Sequence, residues 1–312
     1  KDTGTIKAVL SDSNGSSSKL YSFGGQDRRK KRERAFRPFS ARGDIKMERI
    51  KLWDSVPGSD GSVSPEQTPE LLYFPCEGAK SCVAVFPGGG YASLCDDYEG
   101  TELAEWFTTV GVAAFVLRYR VLPYHYPCQI ADAHRAIRYI RHNADRFGID
   151  KDKIGAMGFS AGGHLVAATA TVAHDPLEDP NDPIDAESAK LNAQILCYAV
   201  STFSEFTHRG TTENFLGDGG EELKRAFSPE LNVTKDYTPP AFIWHTFSDQ
   251  LVDVRNALAY AEACKAADVP FELHVFPEGV HGLGTAKSQP CSAGQWLGLL
   301  KNWLTLIGFR EG

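Results

Sequence analysis

The chain has 312 residues, 42% of them hydrophobic and 23% charged, which fits one large globular α/β domain and excludes wholesale disorder or a fibrous repeat. It contains no run of about eighteen apolar residues to span a bilayer, and the Ser/Gly-rich stretch Lys1 to Leu20 lacks the apolar core of a secretory signal, so the default compartment is the cytoplasm. The seven cysteines (76, 82, 95, 128, 197, 264 and 291) are scattered and form no C-x-x-C pair, which argues for reduced, mostly buried thiols rather than a disulfide framework or a zinc ribbon.

Charge divides the chain in two. Lys1 to Lys46 carry 12 basic and 5 acidic residues, a net of +7, against a net of −14 (21 basic, 35 acidic) for the remainder. The first part contains the run Arg28-Arg29-Lys30-Lys31-Arg32, shows little apolar periodicity and ends just before Met47, a possible initiator. It reads as a disordered or expression-derived segment (1–46), and a catalytic domain is expected over 47–312. A nucleic-acid-binding or membrane-binding arm is the rival reading. The acidic body and the lack of any folded nucleic-acid module argue against it, so neither nucleic acid nor membrane is expected as a partner.

From Met47 onward short β-branched or apolar runs alternate with amphipathic stretches, the pattern of an α/β sheet protein. Strands are predicted at Glu48 to Trp53 and Glu70 to Phe74, an antiparallel opening, then at Ser81 to Phe86, Val112 to Tyr119, Lys153 to Met157, Gln194 to Ala199, Ala241 to Thr246 and Phe271 to Phe276. A long helix is predicted over Gln129 to Phe147, with Ile130, Ala133, Ile137, Ile140, Ala144 and Phe147 on one face and Arg135, Arg138, Arg141 and Arg146 elsewhere. Further helices are expected at Thr101 to Thr109, Ala161 to Val172, Val254 to Ala267 and Ala293 to Leu306. The Pro-, Asp- and Gly-rich segments 174–191 and 203–237 read as insertions that could form part of a lid.

Gly158-Phe159-Ser160-Ala161-Gly162 matches G-x-S-x-G and stands between an apolar strand and a small-residue helix. There a tight turn pushes the serine hydroxyl out above the sheet and aims a helix N-terminus at developing negative charge. A serine hydroxyl needs a base, and the base needs an orienting carboxylate. Of nine histidines, His281 follows the last strand in a Gly-containing loop, whereas His245 and His274 lie inside apolar strands and read as packed residues. Asp249, in the loop after the strand Ala241 to Thr246, fits the acid. Asp253 reads as a helix cap, and Glu278 stands too near His281 in sequence. The order Ser160, Asp249, His281 is the hydrolase order. Pro87-Gly88-Gly89-Gly90-Tyr91 follows the strand Ser81 to Phe86, where backbone N–H groups can face an oxyanion. Neither phosphate-loop pattern stands there, so nucleotide binding is discounted. Nucleophile, base and oxyanion donors all come from the chain, and His and Cys show no ligand spacing, so no metal or organic cofactor is expected.

With Tyr98-Glu99-Gly100, Leu117-Arg118-Tyr119-Arg120, Asp132 with Arg135-Ala136-Ile137, and Gly163-His164 after the serine motif, the chain resembles the α/β-hydrolase superfamily over about Leu71 to Ile307. Within it the likeness is to the hormone-sensitive-lipase-like esterases and the bacterial acetyl-esterase and acetylxylan-esterase group. The resemblance implies an α/β-hydrolase fold, an eight-stranded, mostly parallel sheet flanked by helices. It also implies a Ser-His-Asp carboxylesterase whose oxyanion hole uses the N–H groups of Gly89, Gly90 and Ala161. Pro87 stands where lipase-like members carry His before the glycines, as in the acetyl-esterase-like branch. The expected partner is therefore a small-molecule or oligosaccharide ester, with short acyl groups preferred. Tyr91, Tyr98 and Trp244 are candidate substrate contacts, Tyr91 as a wall of the acyl pocket. Two other readings stay open: an amide hydrolase (peptidase or formamidase) on the same three residues, and a non-catalytic ligand receptor on the hydrolase fold.

Overall fold

The structure, a computed structural model, describes residues 47–58, 63–287, 289 and 291–311. The basic segment 1–46 lies outside the described residues. The eight strands are β1 (Glu48–Lys51), β2 (Glu70–Phe74), β3 (Cys82–Phe86), β4 (Ala113–Arg118), β5 (Ile154–Phe159), β6 (Ala193–Cys197), β7 (Ala241–Thr246) and β8 (Phe271–Phe276). They form one sheet in the order β1-β2-β4-β3-β5-β6-β7-β8. The β1–β2 and β2–β4 pairs are antiparallel and the rest parallel, as the sequence expectation has it. Every residue of β3, β5, β6 and β7 is buried. That is why these strands read as continuous apolar runs rather than alternating ones: helices cover both faces.

The described helices are α1 (Glu102–Thr109), α2 (Cys128–His142), α3 (Ala144–Phe147), α4 (Ala161–Thr169), α5 (Arg209–Leu216), α6 (Glu221–Ala226), α7 (Arg255–Ala266) and α8 (Trp296–Leu306). Ile130, Ile137 and Ile140 of α2, Leu165 and Val166 of α4 and Tyr260 of α7 pack with Ala84 and Phe115 on one side of the sheet. Leu103 and Phe107 of α1 and Trp296, Leu300 and Trp303 of α8 pack with Val83, Val85 and Met157 on the other. Each fully buried Leu, Ile or Phe side chain contributes about 2 kcal/mol, so the two layers clamp the central strands and hold their C-terminal ends in place.

Three expectations change. The long helix predicted to Phe147 breaks at Asn143, whose Nδ2 donates to the Tyr139 carbonyl at 2.9 Å, a side-chain bond that competes with helix continuation. Segment 174–191 runs along α2 and not as a lid. Asp175, Glu178, Asp182 and Asp185 pair with Arg135 and Arg138, and the Ser188 and Lys190 carbonyls accept from Arg141. The three arginines are buried as a result. Segment 203–237, for which the sequence predicts no helix, carries α5 and α6. The His208 ring caps α5 by accepting from the Thr211 N–H at 3.3 Å. Phe215 of α5 packs against Tyr91, His164, Phe203 and Phe227.

Candidate active site

β5 ends at Phe159 and α4 begins at Ala161, so a single residue, Ser160, makes the turn. It does so at φ 51°, ψ −117°, a strained conformation for any residue with a side chain. The turn closes only because its neighbours are glycines. A Cβ on Gly158 would stand 2.2 Å from the Gly162 carbonyl oxygen, and one on Gly162 would stand 2.1 Å from that of Phe86. Bonds to the end of β6 and from the loop after it pin the serine peptide: Ser160 N–H donates to the Cys197 carbonyl at 3.0 Å, and Val200 N–H donates to the Ser160 carbonyl at 3.1 Å.

The loops after β7 and β8 bring two more side chains to this rim. His281 Nε2 lies 2.8 Å from Ser160 Oγ, and its Nδ1 lies 2.7 Å from Asp249 Oδ2. The carboxylate can only accept, so Nδ1 carries the proton and Nε2 is left to accept from the serine hydroxyl. Burial pushes the Asp249 carboxyl up, but hydrogen bonds from His245, His281 and the Val252 N–H hold it well below the usual carboxylate range. The His281 side chain is 14% exposed and the Asp249 side chain fully covered. Ser160 is itself 8% exposed. An ionised carboxylate, an oriented imidazole and a hydroxyl in line can pass a proton from oxygen to nitrogen while the oxygen attacks a carbonyl.

The glycine turn after β3 stands beside the hydroxyl. A Cβ on Gly88 would lie 3.2 Å from Ser160 Cβ. Gly89 adopts φ 130°, where a side chain would run into Ser93. Three side chains hold the turn. Glu99 Oε2 accepts from Gly88 N–H at 3.0 Å, Tyr119 O–H donates to the Pro87 carbonyl at 2.6 Å, and Asn214 Nδ2 donates to the Gly90 carbonyl at 2.8 Å. Among the described residues neither the Gly89 nor the Gly90 N–H donates to a backbone carbonyl.

The BD-FAE family model matches residues 72–263, well over half of the chain. The chain belongs to the BD-FAE family. This BD-FAE chain is 38% identical over 216 residues to endo-1,4-beta-xylanase B of Butyrivibrio fibrisolvens, covering 67% of this chain and 33% of that protein. It is 31% identical over 219 residues to the acetylxylan esterase of Xylanibacter ruminicola, covering 69% and 43%. The chain thus spans less than half the length of these two curated relatives. Among solved structures it is similar to the acetyl ester-xyloside bifunctional hydrolase from Caldicellulosiruptor lactoaceticus, with TM-score 0.79 and 38% identity over 84% of this chain and 97% of that one. The BD-FAE chain is an α/β-hydrolase of the esterase type in family and fold.

Two of the three aromatic expectations for this BD-FAE chain need correction. Trp244 is fully buried and stacks on Trp296 at 4.9 Å, because β7 is a central strand covered on both faces. Tyr91 is equally buried. Its hydroxyl donates to His164 Nδ1 at 2.7 Å, and its ring packs on Tyr119 and Phe215, so it braces the glycine turn from beneath and does not wall an acyl pocket. Tyr98 alone is partly exposed. It leans on the loop after His281, where a Cβ on Gly284 would stand 2.9 Å from its carbonyl oxygen.

Sequence reasoning gave several residues no role at the site. His164, one turn along α4 from Ser160, donates through Nε2 to the Phe227 carbonyl at 2.9 Å, and burial lowers its pKa to about 4, which keeps it neutral. The i, i+4 spacing from the serine was a usable signal. His245 is packed in β7 as expected, yet its Nε2 also lies 3.4 Å from Asp249 Oδ2. His134, Asp175 and Glu178 offer ligand atoms all within 4.8 Å of one another. The Arg138 guanidinium, however, lies on both carboxylates and supplies the positive charge there. Among the described residues no helix is long and apolar enough to cross a membrane.

Proposed function

We propose that the chain is a serine carboxylesterase that removes short acyl groups, acetyl foremost, from sugar or xylo-oligosaccharide esters. The carrying observation is the unbroken contact line Asp249, His281, Ser160 beside the Gly88–Gly90 turn. Ser160 Oγ attacks the acyl carbonyl as His281 Nε2 takes its proton. The ionised Asp249 steadies the imidazolium. The N–H groups of Gly89, Gly90 and Ala161 receive the oxyanion. His281 returns the proton to the leaving alcohol, and water then attacks the acyl-enzyme by the same path. The names of the relatives from B. fibrisolvens, X. ruminicola and C. lactoaceticus support acetylated xylan fragments as the alcohol side. The seven free cysteines suit the cytoplasm.

The test joins labelling to a substrate panel. A fluorophosphonate probe should label the wild type and not Ser160→Ala. The value of kcat/KM should fall from acetyl to butyryl to octanoyl aryl esters, and acetylated xylo-oligosaccharides should be turned over. An unlabelled protein would be a receptor, and faster cleavage of aryl amides than of matched esters would make it an amide hydrolase. A maximum at octanoyl would remove the short-acyl reading.

A further inference from the structure

Glu99 is 2% exposed, and among the described residues no Arg, Lys or His forms an ion pair with it. Burying a carboxylate without a cation costs several kcal/mol, and burial pushes its pKa up despite the hydrogen bonds it receives. Stability alone gives no reason for this residue. Asp132, also fully buried, differs because Arg120 meets it through two nitrogens at 2.9 and 2.7 Å.

What Glu99 touches supplies the reason. Its Oε2 accepts from Gly88 N–H at 3.0 Å, at the head of the glycine turn. The fit is mutual, because a Cβ on Gly88 would stand 2.5 Å from that oxygen. Its Oε1 accepts from the Tyr198 hydroxyl at 2.7 Å. That hydroxyl in turn accepts from Gly284 N–H at 2.9 Å, three residues beyond His281, and the Tyr198 ring meets the His281 ring edge-on at 5.0 Å. Tyr198 is held at φ 38° directly after β6, a costly conformation for a residue with a side chain. Glu99 itself comes from a single π-turn, Asp97–Thr101, ahead of α1, a local irregularity frequent at functional sites. One carboxylate therefore ties together the loops after β3, β6 and β8.

We propose that Glu99, acting through Tyr198, is a positioning residue that keeps the oxyanion-facing turn and the histidine loop in one register. This rests on the Ser160 and His281 assignment above. The carboxylate makes charge-assisted bonds, shorter and about twice as strong as neutral ones, to both sides of the reacting centre. A misplacement of about 1 Å between such groups costs about 10²-fold in rate.

The test uses Glu99→Gln, Tyr198→Phe and the double variant on an aryl acetate, with rates divided by the fluorophosphonate-titrated site concentration and with Ser160→Ala alongside. Glu99→Gln should lose about 10- to 100-fold in kcat and Tyr198→Phe about 10-fold, with KM within about 3-fold. The double variant should be no slower than Glu99→Gln, because both changes cut one connection. If Glu99→Gln does not fold, Tyr198→Phe still decides. Wild-type kcat per titrated site, a loss confined to KM, or losses that multiply in the double variant would each overturn the proposal. Turnover surviving in Ser160→Ala would instead overturn the nucleophile assignment on which the proposal rests.

Discussion

Among the described residues, His281–Asp249 and His134–Asp175 share nearly the same geometry and lie in opposite kinds of surroundings. His281 Nδ1 meets Asp249 Oδ2 at 2.7 Å at the rim, and His134 Nδ1 meets Asp175 Oδ2 at 3.0 Å under segment 174–191. The free edge of the first imidazole is on a serine hydroxyl and reaches solvent. That of the second is fully buried, with no partner for Nε2. Asp249 is flanked by two imidazoles, His245 and His281, whereas Asp175 also meets the Arg138 guanidinium at 3.5 Å. An imidazole on a carboxylate is thus common structural material. A third group with a proton to give, and access for a substrate, turn it into a site.

The largest test of that contrast is turnover. Ser160→Ala or His281→Ala should lower kcat by about 10⁴-fold or more, and Asp249→Asn by about 10⁴-fold, with small changes in melting temperature. Equivalent loss of turnover per folded molecule in His134→Ala would break the distinction. Reversing the readout gives the second test. Asp175→Ala should cost about 3–5 kcal/mol in urea melts, because it leaves His134 and Arg138 buried beside a missing carboxylate. Its kcat per titrated site should stay within about 2-fold of wild type.

How far the sequence carried differs between the same two regions. The rim was legible because its demands are local: a serine between glycines after an apolar strand, glycines after another strand, an Asp and a His just past the last two strands. Chain order and element type were enough to expect Ser160, Asp249 and His281 at one rim, and the structure brings these three side chains together. The buried ion pairs were not legible. Arg135, Arg138 and Arg141 recur at helical spacing, as solvent-facing residues also do, and the carboxylates and carbonyls that cover them come from about 40 to 50 residues downstream. The link between Glu99 and Tyr198 escaped for the same reason, the two being 99 residues apart in the chain. Trp244 was misplaced because an aromatic in a central strand and one lining a cleft look alike until the covering helix α8 is present.

The third test concerns pH. His164 braces the glycine turn through Tyr91, and burial lowers its pKa from 6.5 to about 4. The unfolded chain therefore binds this proton more readily. The associated stability is complete above about pH 6.5 and is lost as pH falls through 4, on the order of 3 kcal/mol in total. The buried Glu99, whose pKa is raised, acts in the opposite direction, since its charged form is the penalised one. Replacing His164 by Asn should lower stability at pH 7 but flatten the slope of unfolding free energy between pH 6.5 and 4. An unchanged slope would show that His164 contributes nothing to the acid sensitivity.

The smallest effect belongs to a pair of aspartates four residues apart. Asp249 Oδ1 accepts from the N–H groups of Leu251 and Val252 while Oδ2 faces His281. Asp253 Oδ1 accepts from Arg255 N–H at 2.8 Å at the start of α7, and its Oδ2 pairs with the Arg255 guanidinium. Both residues close a turn, but only Asp249 also holds an imidazole. Losing the turn bond to the Arg255 N–H in Asp253→Ala should therefore cost about 1 kcal/mol, and kcat should be unchanged because no contact of Asp253 reaches Ser160 or His281. The measurement is a urea melt beside a kcat determination on each aspartate variant. A tenfold loss of kcat in Asp253→Ala with its stability intact would mean that the α7 entrance, and not Asp249 alone, sets the position of His281.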